Sequence, residues 1–520
     1  NKKYSMNLRY ILAAGILVAG FSAQAAMTQR SAAVGELAAY CAPASRPASH
    51  DIVFMPDGTS YVERSDDGKR LLVKDISTGK ELSVLFDVTH TRETELPDFE
   101  GFIVSPDASK VMVWRESEHV YRRSTTARYY VYEVRSRLLR PLSKEHDRQR
   151  DPLFSPDSRM VAFVADNNIY AAKLDYQTEV PVTTDGVRDS VINGATDWTY
   201  EEEFGVTSLM TWAPDNLTLC YVRFDESAVP MYSLPLYQGT CEPKDQYRLY
   251  PGLLSYKYPV AGEPNSAVSV HSYDVETRKT KQIDFPGGTP YYIPGLKYGP
   301  DASRLMVATL NRDQNRFELF SVNPKSTVAR SVYTDEAKAW IEPVTYEQLH
   351  YGPNSFTVAS SGEGYTRFYE YSYAGAKLAS IGIDGADATD YYGSDAAGNR
   401  YFRAAAPTPK DRTVYRLTRK GIVEPLGKDK GTTDAVFSPG CAAVVLTYSN
   451  ITTPPVSSLC RADGKQIRVL EDNKAYADRA IPRLADKEFF TMRTDDGTEL
   501  CGYVVKPKDF NSSTRYPVIM

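Results

Sequence analysis

FIVSPDASKVMVW, residues 102–114, carries the pattern from which this chain is built. Apolar residues run into Ser-Pro-Asp, a short polar stretch turns the chain, and an alternating apolar run leads away. That is the signature of a β-hairpin. Proline presets φ at the bend, Asp accepts hydrogen bonds from nearby backbone, and the flanking residues alternate at a period of two. The pattern recurs as VFMPDGTSYV at 53–62, LFSPDSRMVAFV at 153–164, TWAPDNLTLCYV at 211–222 and LKYGPDASRLMVATL at 296–310. It returns as LHYGPNSFTVAS at 349–360 and AVFSPGCAAVVLTY at 435–448, with a proline-free copy, YYGSDAAGNRYF, at 391–402.

Pro56, Pro106 and Pro156 stand 50 residues apart. Further strand-like runs follow several copies: YYVYEV at 129–134, NNIYAAKL at 167–174, FELFSV at 317–322 and TVYRL at 413–417. Four strands per roughly 50 residues is the blade of a β-propeller, whose faces are buried only by neighbouring blades. Eight copies predict eight blades and an all-β propeller.

Composition agrees. The 520 residues include 61 Lys+Arg and 66 Asp+Glu, a net charge of −5, which argues against a nucleic-acid-binding face. Aromatics at 12% exclude a disordered chain. Tyrosine dominates them, 37 against 19 Phe and 4 Trp, and suits strands with one buried face and one wet edge.

The first 25 residues read as a secretory signal peptide: Lys2, Lys3 and Arg9, then an uncharged apolar run over 11–21, then Ala23-Gln24-Ala25. Its removal moves the net charge from −5 to −8. The expected location is therefore exported, periplasmic or at the cell surface. An N-terminal segment over 26–44 precedes a propeller expected over 45–475. RVLEDNKAYADRAI, 468–481, reads as a polar crossover with one or two helical turns. EFFTMRTDDGTELCGYVVKPKDF, 488–510, reads as a hairpin turning at Asp495-Asp496-Gly497. Tyr516-Pro517-Val518-Ile519-Met520 reads as the entry to a buried strand, so residues 476–520 are expected to begin a second, α/β domain.

The step from Pro214 to Pro300 exceeds one blade. Its excess, residues 231–264, is rich in Tyr, Leu and Pro and reads as an extended hairpin arm from the fourth blade, or as a long loop. No CxxC or HExxH is present among six Cys and six His, so no metal and no cofactor are expected. Export permits disulfides. Cys441 and Cys460, on what read as neighbouring strands, are the expected pair, with buried free thiols as the alternative.

The stretch richest in chemistry is DWTYEEEFG, 197–205. Thr196 or Asp197 can cap a short helix there, and acids are favoured in its first turn. That accounts for one or two acids. Three in a row repel one another, which favours a second reading in which two are held for a cation. A substrate ammonium carries three donors and needs several carboxylate oxygens.

DWTYEEEFG resembles the double-glutamate motif of the dipeptidyl peptidase IV group in the prolyl oligopeptidase family. RFDESAVPMYSLPLY at 223–237, YKYPVAGEPNSAVSVHSYDV at 256–275 and RVLEDN at 468–473 resemble the same group, in the same order. The resemblance implies an eight-bladed propeller capping an α/β-hydrolase domain. It implies a serine exopeptidase that releases dipeptides with Pro or Ala second, acting on peptides with a free N-terminus, and a homodimer. Glu202 and Glu203 would bind the substrate ammonium. Arg122, with Arg123 as its rival, would contact the substrate's first carbonyl. The animal pattern of Phe-Arg after a tryptophan is absent, because Trp340 is followed by Ile341-Glu342. No GxSxG elbow occurs, so the Ser-Asp-His triad is expected beyond residue 520. Two other readings stand beside this one: a tripeptidyl or oligopeptide peptidase of the same family, and a non-catalytic binding scaffold.

Overall fold

Each repeat hairpin predicted above pairs two neighbouring strands of a blade, a sheet of four antiparallel strands that gains a fifth in the second and fourth blades. A computed structural model of the chain describes residues 52–237, 249–428, 430–481 and 485–520. The expected signal peptide, the 26–44 segment, Cys41 and Cys241 lie outside the described residues. The first blade comprises Val53–Phe54, Ser60–Arg64, Arg70–Asp75 and Glu81–Asp87, in that spatial order. Seven more blades follow in chain order, the fourth interrupted by a separate two-stranded hairpin, ending with Thr432–Phe437, Ala443–Asn450, Thr453–Arg461 and Gln466–Glu471. The architecture is an eight-bladed β-propeller.

The turns explain why the repeat is so regular. Asp57 Oδ1 accepts from Thr59 N at 2.8 Å, and Asp107 and Asp157 accept from Ser109 N and Arg159 N at 2.9 and 3.1 Å. Ser105 and Ser155, just before the prolines, donate to the same aspartates. Each carboxylate closes its own turn, and the strands on either side inherit a fixed register.

The first strands of the blades line the axis. Phe54, His350, Tyr392 and Phe437, from four adjoining blades, border one cavity of about 520 Å³. Between blades the faces are apolar. The largest buried cluster runs from Ala162 in the third blade to Tyr373 in the sixth. The eighth blade meets the first through Tyr61, Ile76, Ala443 and Leu459, and the Arg468 guanidinium lies 5.4 Å from the centre of the Tyr61 ring. No strand is exchanged across that junction, and among the described residues no backbone hydrogen bond spans it.

Cys441 and Cys460 do not form the expected disulfide; both are buried free thiols. Cys460 pairs across the sheet with Val444, three residues beyond Cys441. Cys441 sits in a helical turn, Pro439–Cys441, with its sulfur toward the Tyr392 carbonyl, whereas the Cys460 sulfur lies by its own strand's Ser458 carbonyl. The two sulfurs belong to one apolar cluster but face different neighbours.

Two excursions leave the ring. The expected arm is a hairpin of Met231–Leu236 and Gly252–Lys257, with Met231, Tyr232, Leu253 and Leu254 exposed. Residues 238–248 lie outside the description. After the last blade, the expected crossover holds a short helix, Lys474–Ala480. The expected hairpin follows as Lys487–Arg493 and Glu499–Val505, with Gly497 at φ +87 in its turn.

Candidate N-terminus-recognition site

The innermost strand of the fourth blade is interrupted. Val191–Asn193 and Met210–Trp212 both pair with the strand Thr218–Asp225, Asn193 opposite Arg223 and Met210 opposite Tyr221. The intervening residues therefore leave the sheet and return to it almost where they left. The neck is tied by Leu209 N to Gly194 O at 2.7 Å, Thr196 N to Thr207 O at 3.1 Å and Thr196 Oγ1 to Val206 O at 2.6 Å. Gly194 is required at the exit: its φ is +77, and a Cβ there would lie 2.9 Å from Ile169.

The excursion carries the acidic motif. It turns into a helix at Trp198 and Thr199 and continues as a π-helix over Tyr200–Phe204, closed by Gly205 at φ +67. Of the two caps proposed above, Asp197 is the one used, its Oδ1 accepting from Tyr200 N at 2.9 Å. Its other oxygen accepts from Ser266 Oγ at 2.6 Å. Burial pushes the Asp197 carboxyl above its ordinary range, against the pull of those hydrogen bonds. Tyr200 and Phe204 drop into the largest core cluster, where Phe204 meets Tyr292 and Tyr346 at 5.3 and 5.6 Å. The Tyr200 hydroxyl accepts from Ile293 N at 2.8 Å. The motif is thus anchored in the core by its aromatics, while its acids face other ways.

The three glutamates have three environments. Glu201 is fully buried, and its carboxylate accepts from Arg123 N, Ser124 N and Ser124 Oγ. Glu202 has a side chain 17% exposed and pairs with Arg122, whose Nε lies 3.1 and 3.0 Å from its two oxygens. Glu203 is exposed, and among the described residues no cation pairs with it. The neighbouring arginines divide likewise. Arg122 projects to Glu202 with 73% of its side chain exposed. Arg123 turns away, donating from Nε to the Glu201 carbonyl at 3.2 Å.

Arg122 reaches this place because the second blade's middle strands, Lys110–His119 and Thr125–Glu133, run to ten and nine residues. The third blade lies between and turns tightly at Asp166 and Asn167, both at positive φ, which leaves its rim low.

The arm supplies a third wall. Trp198 stands 4.3 Å from Tyr258 and 6.2 Å from Tyr256, and Tyr121 stands 6.0 Å from Tyr256. At the arm's root Glu226 is 4% exposed. Burial, then the nearby Asp197 and Asp189, push its carboxyl up to about 7, with Lys257 opposing. Sequence reasoning missed the burial of Glu226 and of Glu201, since each motif shows an acid but not what packs over it. The Trp340-Ile341-Glu342 stretch leads into the short helix Val344–Glu347, whose Tyr346 packs on Phe204, so it too borders the site.

Chemically, the site offers two adjacent carboxylates at the end of a rigid segment and a guanidinium with donors to spare. It suits a ligand with an ammonium group next to a carbonyl. Among the described residues no group of three His, Cys, Asp or Glu side chains is arranged to hold a metal.

Residues 105–455 match the family model for the dipeptidyl peptidase IV N-terminal region. The chain is 27% identical over 518 residues to the dipeptidyl-aminopeptidase B of Aspergillus niger, covering 91% of this chain and 57% of that one. A probable dipeptidyl-aminopeptidase B of Aspergillus oryzae is 29% identical over 82% of this chain and 50% of its own length. The chain thus spans about half the length of the curated relatives it matches. The crystal structure of Porphyromonas gingivalis dipeptidyl peptidase 4 superposes with a TM-score of 0.87 at 40% identity, over 91% of this chain and 67% of that one. A putative dipeptidyl aminopeptidase IV from Bacteroides ovatus, at 18% identity and a TM-score of 0.65, shares the fold.

Proposed function

This chain belongs to the dipeptidyl peptidase IV family, and we propose that its propeller recognises the free N-terminus of peptide substrates for a serine exopeptidase that removes dipeptides. The observation that carries the reading is the pairing of Glu202 with Arg122 beside an unpaired Glu203, on a segment locked into the core. In this reading the substrate ammonium lies between Glu202 and Glu203, and Arg122 donates to the first carbonyl. Binding a terminal ammonium fixes how far the chain can extend before the scissile bond. The cut therefore falls after the second residue, with Pro or Ala there, and blocked N-termini are excluded. Ser, His and Asp of a hydrolase domain in the intact protein supply acyl transfer: Ser attacks the carbonyl, His carries the proton, and Asp orients His. Export rests on the signal-like residues 1–25, and pairing of two copies rests on the exposed apolar arm.

The test is hydrolysis of a Gly-Pro chromogenic amide by the full-length protein, beside its N-acetylated form and the Glu202→Ala/Glu203→Ala variant. Loss of a charge-assisted clamp costs roughly a hundredfold or more in kcat/KM. Acetylation is expected to cost as much. A folded double variant that cleaves as well as the parent sinks the reading.

A further inference from the structure

We propose that Glu201, the first glutamate of the run, is a positioning residue that latches the Arg122 hairpin to the acidic segment and thereby sets the spacing of Arg122 from Glu202 and Glu203. The inference rests on the reading that those three residues hold a peptide N-terminus.

The geometry is specific. Glu201 lies on the fourth blade's excursion and its partners lie on the second blade's hairpin, 77 and 78 residues away, with the third blade between. One carboxylate oxygen receives two successive backbone N–H groups, those of Arg123 and Ser124, and the other receives the Ser124 hydroxyl. Ser124 itself is 2% exposed, so the latch is shut away from water. The Arg123 guanidinium adds a return bond to the Glu201 carbonyl. Arg122 is the residue immediately before these bonds, so its backbone has little freedom once they form.

Two further points favour a latch over plain stabilisation. A buried carboxylate carries a desolvation cost, and the hydrogen-bond donors to this one, Arg123 N, Ser124 N and Ser124 Oγ, all belong to a different blade. A carboxylate that only stabilised its own segment would spend at least one oxygen within it, as Asp197 does on Tyr200 N. And Arg122, its side chain 73% exposed and paired with Glu202, depends on its backbone attachment to keep that pair in register. The hairpin that bears it is long and bent, with an irregularity between Arg115 and Glu118 and Glu116 at φ +56. A hairpin so extended needs a fixed point at its tip, and Glu201 is that point.

The experiment is a double-substitution cycle on the full-length protein with Gly-Pro chromogenic amide. Glu201→Ala is expected to raise KM roughly tenfold or more with a smaller effect on kcat. In that background Arg122→Ala should cost at least roughly tenfold less than it does in the parent, because Arg122 has already lost its place. Glu201→Gln restores most of the activity, since its carbonyl oxygen accepts both N–H groups and its amide donates to the Ser124 hydroxyl. Glu201→Asp keeps the charge, draws the carboxylate back by one methylene, and should fall below Gln. Additive effects of Glu201 and Arg122 overturn the proposal, as does an Asp variant better than Gln, which would assign Glu201 an electrostatic role. Should Glu201→Ala fail to fold, the Gln-against-Asp order and the same cycle with Glu201→Asp decide the matter. If Arg122→Ala and the Glu202/Glu203 variant are both silent in the parent background, it is the recognition reading itself that fails.

Discussion

Replacing Glu226 by Gln should stabilise the protein at alkaline pH and leave it unchanged in acid. Glu226 sits at the arm's root, 4% exposed, facing Asp197 from the acidic segment, Asp189 from the preceding loop, Asp225 from its own strand and Lys257 from the arm. Burial is the largest influence on it, and its carboxyl rises from 4.5 to about 7. The sign follows from linkage. Below pH 4.5 the acid is neutral in folded and unfolded chains alike, so it contributes no pH dependence. Between 4.5 and about 7 the unfolded chain releases its proton and the folded protein keeps it, so stability falls as pH rises. Above about 7 both states are ionised and the loss is complete. At roughly 1.4 kcal/mol per unit of pH, that gap sets a ceiling of roughly 3 kcal/mol. Gln is nearly isosteric and does not titrate. The assay is urea denaturation of parent and Glu226→Gln at pH 4.5 and 8.5, followed by tryptophan fluorescence. The expected advantage of the variant is near zero at the lower pH and on the order of 2–3 kcal/mol at the higher. An advantage equal at both pH values, or none at pH 8.5, refutes the assignment of a buried, proton-holding acid.

Two other outcomes are expected. Tyr200→Phe leaves the buried Ile293 N–H without its acceptor and should cost about 1–3 kcal/mol in equilibrium denaturation, with a raised KM because the acidic segment loses its anchor. Mass-spectrometric mapping after brief thiol labelling of the native protein should find Cys501 modified and Cys441 and Cys460 untouched; after unfolding all three should react, and failure of Cys441 and Cys460 to react even then would reveal a disulfide.

Much of this was legible in the sequence because each blade repeats one local device. Turns of the Pro-Asp kind close themselves through their own side chains, and with the Pro-Asn, Pro-Gly and Ser-Asp copies they make eight hairpins readable without knowledge of what packs on them. The arm was readable because it overran the repeat, and the acidic run because three like charges side by side demand a reason. What could not be read is what depends on neighbours distant in sequence. That Glu201 differs from Glu202 is decided by a hairpin 78 residues earlier. The choice of Arg122 over Arg123 as the residue on Glu202 likewise follows from which way a bent hairpin tip faces. Cys441 and Cys460 show the limit of strand neighbourhood as an argument, for Cys441 falls in the helical turn before its strand, where its sulfur faces Tyr392.

The junction of the eighth and first blades has a mechanical meaning. Every other blade is joined to the next by the covalent chain, but here, among the described residues, the ring is completed by side chains: Tyr61, Ile76, Ala443 and Leu459, with Arg468 laid over Tyr61. Such contacts resist separation by burying apolar surface and offer little directional resistance to sliding. The propeller is in effect an open spring with its ends pressed together. Among the described junctions, that seam is the one where blades could part without straining the chain. The recognition site, on the fourth blade, lies half a turn away. The acidic segment, tied by Glu201 to the hairpin of the second blade, is thus set far from the one place where the ring is not continuous chain.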